Sequence, residues 1–162
     1  MADLTKTSLS LVPDPKGAAG PTFRGRVSPL NNPATSEPYS IDAGGAVAPS
    51  NPSPTETDVI YARANAANTS NVAGLASSSG EYPGYVNVQA AGPLTLTTDQ
   101  WDARTGQTGG LTPQAIYYLS AATPGALTTT PPSNPNYITP VGFAMSATTM
   151  MIQIGAAVPA SP

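Results

Sequence analysis

Proline is frequent enough in this chain to exclude a mainly helical fold. The sequence holds 19 prolines and 15 glycines in 162 residues. Each proline removes a backbone donor and biases the residue before it towards extended geometry. Nine prolines fall between residues 13 and 57, which leaves no room there for a helix of three turns. We therefore predict that residues 1–57 form an extended N-terminal arm with turns.

The pattern changes at residue 58, where short apolar runs begin to alternate with turn residues. Residues 85–89 and 94–97 alternate strictly, and residues 116–120 form the strongest aromatic and β-branched run. Runs spaced by about 8–12 residues, with turns between them, are typical of sandwiches and barrels. We predict an all-β protein, with a small β-sandwich or barrel domain over residues 58–162 that follows the Pro-rich arm. No segment shows a convincing helical period.

The alternation also selects a core. Tyr117 and Tyr118 are consecutive in a predicted strand, so they point to opposite faces, one buried and one at an interface. The residues predicted to be buried are Val59, Tyr61, Leu75, Val86, Val88, Leu94, Leu96, Trp101, Ile116, Leu119, Val141, Phe143, Ile152 and Ile154.

Charge is missing from the last third of the chain. Arg104 is the last charged residue, and residues 105–162 contain no Asp, Glu, Lys or Arg. Soluble monomers normally use charges for hydration and to protect sheet edges. Either Ser, Thr, Asn and Gln supply the hydration here, or identical chains or a larger scaffold cover much of this surface, because interface cores are depleted in charge.

Several kinds of chemistry are excluded by composition. The chain has no Cys and no His, which excludes disulfides, thiol nucleophiles, histidine acid–base catalysis and the usual zinc sites. Asp99 and Asp102 flank Trp101, and a two-carboxylate glycosidase site or a calcium site stays open as an alternative. We favour turn and cap chemistry for both carboxylates. We predict a protein that is not an enzyme, with no catalytic residues, no cofactor and no metal.

Partners are limited in the same way. Six scattered basic residues and a net charge of −3 form no basic stripe, so we predict no direct contact with nucleic acid. No apolar run approaches the roughly 18 residues of a membrane span, so we predict no membrane association. The start of the chain lacks the basic and apolar regions of a signal peptide, and we expect synthesis in a cytoplasm.

Short motifs occur in a fixed order between residues 59 and 154. They are residues 71–76 (NVAGLA), 92–96 (GPLTL), 110–120 (GLTPQAIYYLS), 124–128 (PGALT) and 141–146 (VGFAMS). The series resembles that of tailed-phage capsid decoration (cement) proteins and of some tail or head fibre modules. Gln114 stands where the pattern often has Gly, so we expect that this turn does not need a positive φ.

The resemblance implies a non-enzymatic structural protein on the outer surface of a virion, made in the host cytoplasm. Such a protein binds the outside of the major capsid protein shell, stabilises it, and forms a small homo-oligomer, a dimer or trimer. We expect Arg24 and Arg26 to pair with carboxylates of a partner or to hold the arm down. The arm residues expected to contact the partner are Phe23, Arg24, Arg26, Leu30, Tyr39 and Ile41.

An alternative function is a fibre module that binds a host receptor or glycan. Such a module needs exposed aromatic side chains in a groove, because sugar rings stack on them. The candidates are Trp101, Tyr82 and Tyr85.

Overall fold

A computed structural model of the chain describes residues 20–28, 40–52 and 57–162. These residues form an all-β fold with a closed barrel, which confirms the predicted fold class. One short helix, α1, spans Thr98–Thr105. The strands are β1 Thr22–Val27, β2 Ser40–Ile41, β3 Ala46–Pro52, β4 Thr57–Tyr61, β5 Gly74–Ala76, β6 Gly80–Glu81, β7 Tyr85–Gln89, β8 Ala91–Thr95, β9 Ile116–Leu119, β10 Leu127–Thr128, β11 Tyr137–Ile138, β12 Pro140–Ala144, β13 Thr149–Gln153 and β14 Val158–Pro159.

Five strands close into a small barrel in the order β1-β4-β3-β5-β7. Closure comes from β1, which pairs with β4 in parallel and with β7 in antiparallel fashion. Valines dominate the interior because their β-branched side chains fill a pleated surface well. The buried residues of this core are Val27, Ile41, Val47, Val59, Ala76, Val86 and Val88.

A second sheet packs against the outside of the barrel. It has five antiparallel strands in the order β10-β9-β12-β13-β8. We call it the C-terminal sheet. Ala46 and Ala48 of β3 and Leu75 of β5 belong to the same buried cluster as Tyr117 and Val141 of this sheet. Successive strand residues point to opposite faces, so β3 and β5 serve both cores.

The helix α1 has clear caps at both ends. The Thr97 hydroxyl accepts from the backbone of Gln100, whose side chain bonds back to the Thr97 amide, and Gly106 ends the helix with a φ of 68°. Trp101 is fully buried and donates through Nε1 to the Thr148 carbonyl at 2.9 Å. Periodicity gives no sign of this helix, because only Trp101 of its residues is buried.

Nine of the predicted core residues are fully or almost fully buried: Val59, Leu75, Val86, Val88, Leu94, Trp101, Leu119, Val141 and Ile152. Tyr61, Leu96 and Ile154 are partly buried. The prediction is wrong for two residues, since Ile116 is 53% exposed and Phe143 is 39% exposed. Tyr117 and Leu119 take the inward positions of β9, so the alternation turns Ile116 outward.

Two of the three described strands before position 57, β1 and β3, belong to the barrel. Strand β3 pairs with β4 across this predicted boundary, and β1 lies between β4 and β7. Residues 20–28 and 40–52 are therefore integral to the folded domain rather than an arm separate from it. An arm formed by other parts of the first 57 residues stays a prediction, because residues 1–19, 29–39 and 53–56 lie outside the described residues.

The turn before β9 differs from expectation. Gln114 has a φ of 68° and is the only non-glycine residue with a positive φ in the described part of the chain. We expected that this turn does not need a positive φ, and the structure nevertheless has one there. In this conformation the backbone N–H of Gln114 donates to the Ala144 carbonyl at 2.8 Å, which joins the turn to the end of β12.

We expect Gln114→Gly to raise the free energy of unfolding by about 0.5–1 kcal/mol, because glycine adopts a positive φ without a Cβ clash. Denaturant unfolding of the two proteins measures the change. Gln153→Gly is the control, since this exposed residue lies within β13, and we expect it to lower stability by about 0.5–1 kcal/mol. Equal effects at both positions would contradict strain at residue 114.

Candidate interaction surface

The C-terminal sheet leaves one face uncovered by the barrel. On this face the strand register places Ile116 of β9 opposite Phe143 of β12, which in turn lies opposite Met151 of β13. Met151 pairs with Pro93 of the edge strand β8. These four side chains form an apolar row across four strands, which we call the apolar row. Met145, which is 54% exposed, follows β12 at its end.

A shallow groove of about 350 Å³ adjoins the apolar row. Pro140, Ile154 and Gly155 line it together with Ile116 and Phe143. Its floor includes Gly142, where an added Cβ would lie 2.2 Å from the Met151 carbonyl oxygen. Only glycine fits at this position of β12 without a shift of the neighbouring strand.

No strand of the C-terminal sheet carries a charged residue. The five sequences are AGPLT, IYYL, LT, PVGFA and TMMIQ. The polar groups here are small and neutral, such as the Thr95 and Thr149 hydroxyls, whose oxygens lie 2.8 Å apart. The strands therefore offer no charged side chain to hydrate this face.

The edges of the C-terminal sheet are protected. Pro93 gives the edge strand β8 a position without a backbone donor. The buried Gln89 side chain donates through Nε2 to the carbonyls of Ala91 at 3.1 Å and Pro93 at 2.8 Å. The opposite edge strand, β10, has two residues. Addition of a further strand is disfavoured at both edges, and the face is the more accessible surface.

The two arginines of the predicted partner-contact set lie on the same outward face of β1 but have different partners. Arg24 is exposed on β1, with its guanidinium 4.5 Å from the centre of the Tyr85 ring. Arg26 donates to Asp58 through Nε at 2.7 Å and through Nη2 at 3.1 Å. The Asp58 side chain is only 12% exposed. Of the two alternatives expected for these arginines, Arg26 shows the intramolecular one.

The two described apolar members of that set, Phe23 and Ile41, pack against the barrel core. Ile41 has no exposed area and packs in the barrel core, so its side chain cannot contact a partner of the folded protein. Phe23 is partly buried against the same core. Leu30 and Tyr39 lie outside the described residues.

The three aromatic residues proposed for glycan binding differ in their exposure. Trp101 is fully buried, so it offers no platform for a sugar ring. Tyr82 is 46% exposed and Tyr85 is 42% exposed, on and beside β7. This tyrosine pair remains as the exposed aromatic surface of the barrel.

A polar network joins the barrel to α1. The Tyr61 hydroxyl accepts from the Asp42 amide at 2.7 Å and from Arg104 Nη1 at 3.1 Å. Arg104 Nη2 also forms an ion pair with the Asp42 carboxylate at 3.1 Å. Burial raises the pKa of Tyr61, and this effect outweighs the Asp42 amide and Arg104, which lower it. The network holds the helix against the turn before β3.

Asp102 has a structural partner set. Its carboxylate accepts from the amides of Gly109 at 2.9 Å and Gly110 at 2.7 Å, which fixes the loop after α1. The turn chemistry favoured for this residue is thus observed, whereas the helix cap is Thr97 rather than Asp99. Within residues 20–28, 40–52 and 57–162, no three Asp, Glu, Cys or His side chains are grouped so that they could hold a metal ion.

No protein-family model matches the chain, and no curated protein sequence matches it. In the part of the chain that the structure describes, none of the helices has the length and hydropathy that crossing a membrane requires.

We expect Tyr61→Phe to lower the free energy of unfolding by about 1–2 kcal/mol near neutral pH, because two donors lose their acceptor. The effect of the substitution should shrink above pH 10.0, the ordinary tyrosine pKa. There the unfolded parent loses the Tyr61 hydroxyl proton more readily than the folded parent does, because the folded-state pKa is raised. The parent therefore loses stability as the pH rises, whereas the phenylalanine variant has no such proton to lose. Denaturant unfolding across this range measures both. A parent and variant with parallel pH profiles would contradict the raised pKa. Tyr118→Phe is the control, because this partly buried tyrosine of β9 lies outside the network.

Arg26→Ala and Arg24→Ala should separate folding from surface chemistry. The first leaves the mostly buried Asp58 carboxylate without its two donors, and we expect a loss of about 1–3 kcal/mol in the free energy of unfolding. The second removes an exposed cation–π contact, for which we expect about 0.5 kcal/mol. Chemical denaturation gives both values, and an equal or reversed order would refute the structural role of Arg26.

Proposed function

We propose that this chain is a non-enzymatic structural protein of a virion. In this proposal it is a capsid decoration (cement) protein, made in the host cytoplasm, that binds the outside of the major capsid protein shell and stabilises it. The observation that carries the proposal is the charge-free outer face of the C-terminal sheet, with Ile116 and Phe143 exposed in its centre. Exposed apolar patches of this kind mark interaction surfaces, which indicates that the chain works within an assembly rather than alone.

The motif series that resembles decoration proteins also supports the proposal. Its longest motif, residues 110–120, forms the turn before β9 and the strand itself. At Gln114 the pattern often has glycine, and the backbone there has the positive φ that favours glycine. The backbone at residue 114 thus has the conformation that a glycine of the decoration-protein pattern would adopt, although the residue here is Gln.

Stabilisation by such a protein needs no chemical step. Copies bound at equivalent points of a lattice act multivalently, so that modest contacts for each copy sum to a large effect on the shell. The exposed Arg24 is available at the barrel surface for charged groups of a shell protein. Capped edges and a closed barrel allow the domain to present side chains without donating strands to its neighbours.

A fibre module that binds a receptor or glycan is the second candidate. The observation that favours it is the exposed pair Tyr82 and Tyr85. A glycan array tests this candidate, with Tyr82→Ala and Tyr85→Ala as variants. Binding that both variants abolish would support the fibre module, whereas an array without bound glycans contradicts glycan recognition.

The decoration function is tested on virus particles made from the genome that encodes the chain. We expect mass spectrometry to detect the chain in density-banded particles, in a fixed ratio to the major capsid protein. Particles from which the gene is deleted should assemble but release their DNA at a lower temperature, and added purified chain should restore the parent temperature. Particles that lack the chain, or heat resistance that is independent of it, would exclude this function.

The attachment segment is tested by a short deletion. Removal of residues 1–57 would also remove β1, β2 and β3, and so would open the barrel. Removal of residues 1–19 keeps every described strand, and we expect it to reduce occupancy on particles without a loss of thermal stability in the isolated protein. Full occupancy after this deletion would show that residues 1–19 are not needed for attachment.

A further inference from the structure

We propose that the apolar row on the C-terminal sheet binds a second copy of this chain, face to face. The inference rests on the proposed function, in which many copies occupy one particle, and it assigns the surface through which copies meet. Ile116, Phe143 and Met151 lie at its centre, and the groove beside Gly142 receives side chains from the partner copy.

The shape of the surface favours a sheet as the occupant. The apolar row crosses β9, β12, β13 and β8, which corresponds to about 14 Å at a strand spacing of about 4.8 Å. A single extended segment that ran parallel to the strands would cover about one strand spacing of this width. A second sheet face, packed at about 10 Å, covers the whole row and interleaves its side chains with it.

Charge favours an identical partner. In a two-fold contact the same patch faces itself, so any charged residue near the axis would meet a like charge. No strand of the C-terminal sheet carries Asp, Glu, Lys or Arg, and residues 105–162 contain none. This surface therefore has nothing to repel its own copy. It also offers no charge by which a charged partner would be recognised.

The protected edges direct association to the face. Pro93 and the Gln89 amide occupy the outer side of β8, and β10 is too short for an extended ladder. The apolar face accordingly remains the one surface of this sheet, among the described residues, that is both apolar and accessible.

The absence of cysteine from the chain allows a direct test with single thiols. Ile116→Cys places a thiol in the apolar row, and Val158→Cys places one at a residue of similar exposure, 49%, outside the C-terminal sheet. We expect the alkylation rate of the thiol at 116 to fall about fivefold at a chain concentration about ten times the dissociation constant, because only the free form reacts. The rate at 158 should stay constant.

A charge variant gives the independent readout. Sedimentation of the parent chain should show association that depends on concentration, and Ile116→Glu should sediment as a monomer under the same conditions. Val158→Glu should associate like the parent. Circular dichroism and the fluorescence of the buried Trp101 check that each variant is folded, and the thiol experiment stands if Ile116→Glu is not.

Three outcomes would overturn the inference: a parent that stays monomeric, equal protection at both thiols, or association that Ile116→Glu does not weaken. These outcomes differ from those that test the proposed function. Protection at residue 116 in a protein absent from virus particles would reject the virion function and keep the contact. A decoration protein that stays monomeric in solution and reacts at 116 without protection would reject the contact alone.

Discussion

The architecture depends on strands whose two faces are both buried. In β3, Val47 points into the barrel, whereas Ala46 and Ala48 point into the core shared with the C-terminal sheet. β5 repeats this division with Leu75 and Ala76. Because alanine projects little from the barrel wall, the sheet approaches closely, and large side chains such as Tyr117 fill the space from the other side. One wall thus serves two cores, and the sheet gains a single covered face.

That arrangement separates charge from apolar surface. The described ion pairs, Arg26 with Asp58 and Arg104 with Asp42, lie on the barrel and at its junction with the helix. The C-terminal sheet has none, since its strands contain no charged residue. Its inner face needs no charge because the barrel covers it. Its outer face has the same composition without that cover, and for this reason we assign the proposed contact to the apolar row.

Sequence alternation predicted the strands of the second half and most of their buried residues, because a period of two distinguishes the faces of a strand. Alternation does not show which face of a strand is covered. The large apolar side chains of Ile116 and Phe143 led us to predict that they are buried, but both lie on the uncovered face. The barrel strands before residue 57 were obscured by proline. Pro49 and Pro52 lie where the register of β3 with β4 shifts, a place where a missing donor is tolerated. The helix was signalled only by its caps, Thr97 with Gln100 and Gly106.

An uncharged sheet with open edges would grow by strand addition, as fibrils do. Here the barrel has no edge among the described strands, since β1 closes it. The edge at β8 is capped by Gln89 and interrupted by Pro93, and the edge at β10 is two residues long. In the proposed contact, association is confined to the face, and a two-fold contact would use up the surface that forms it and end with a closed pair. Under this proposal the chain needs no charge over residues 105–162 to limit how its copies combine, because backbone geometry at the sheet edges would set that limit.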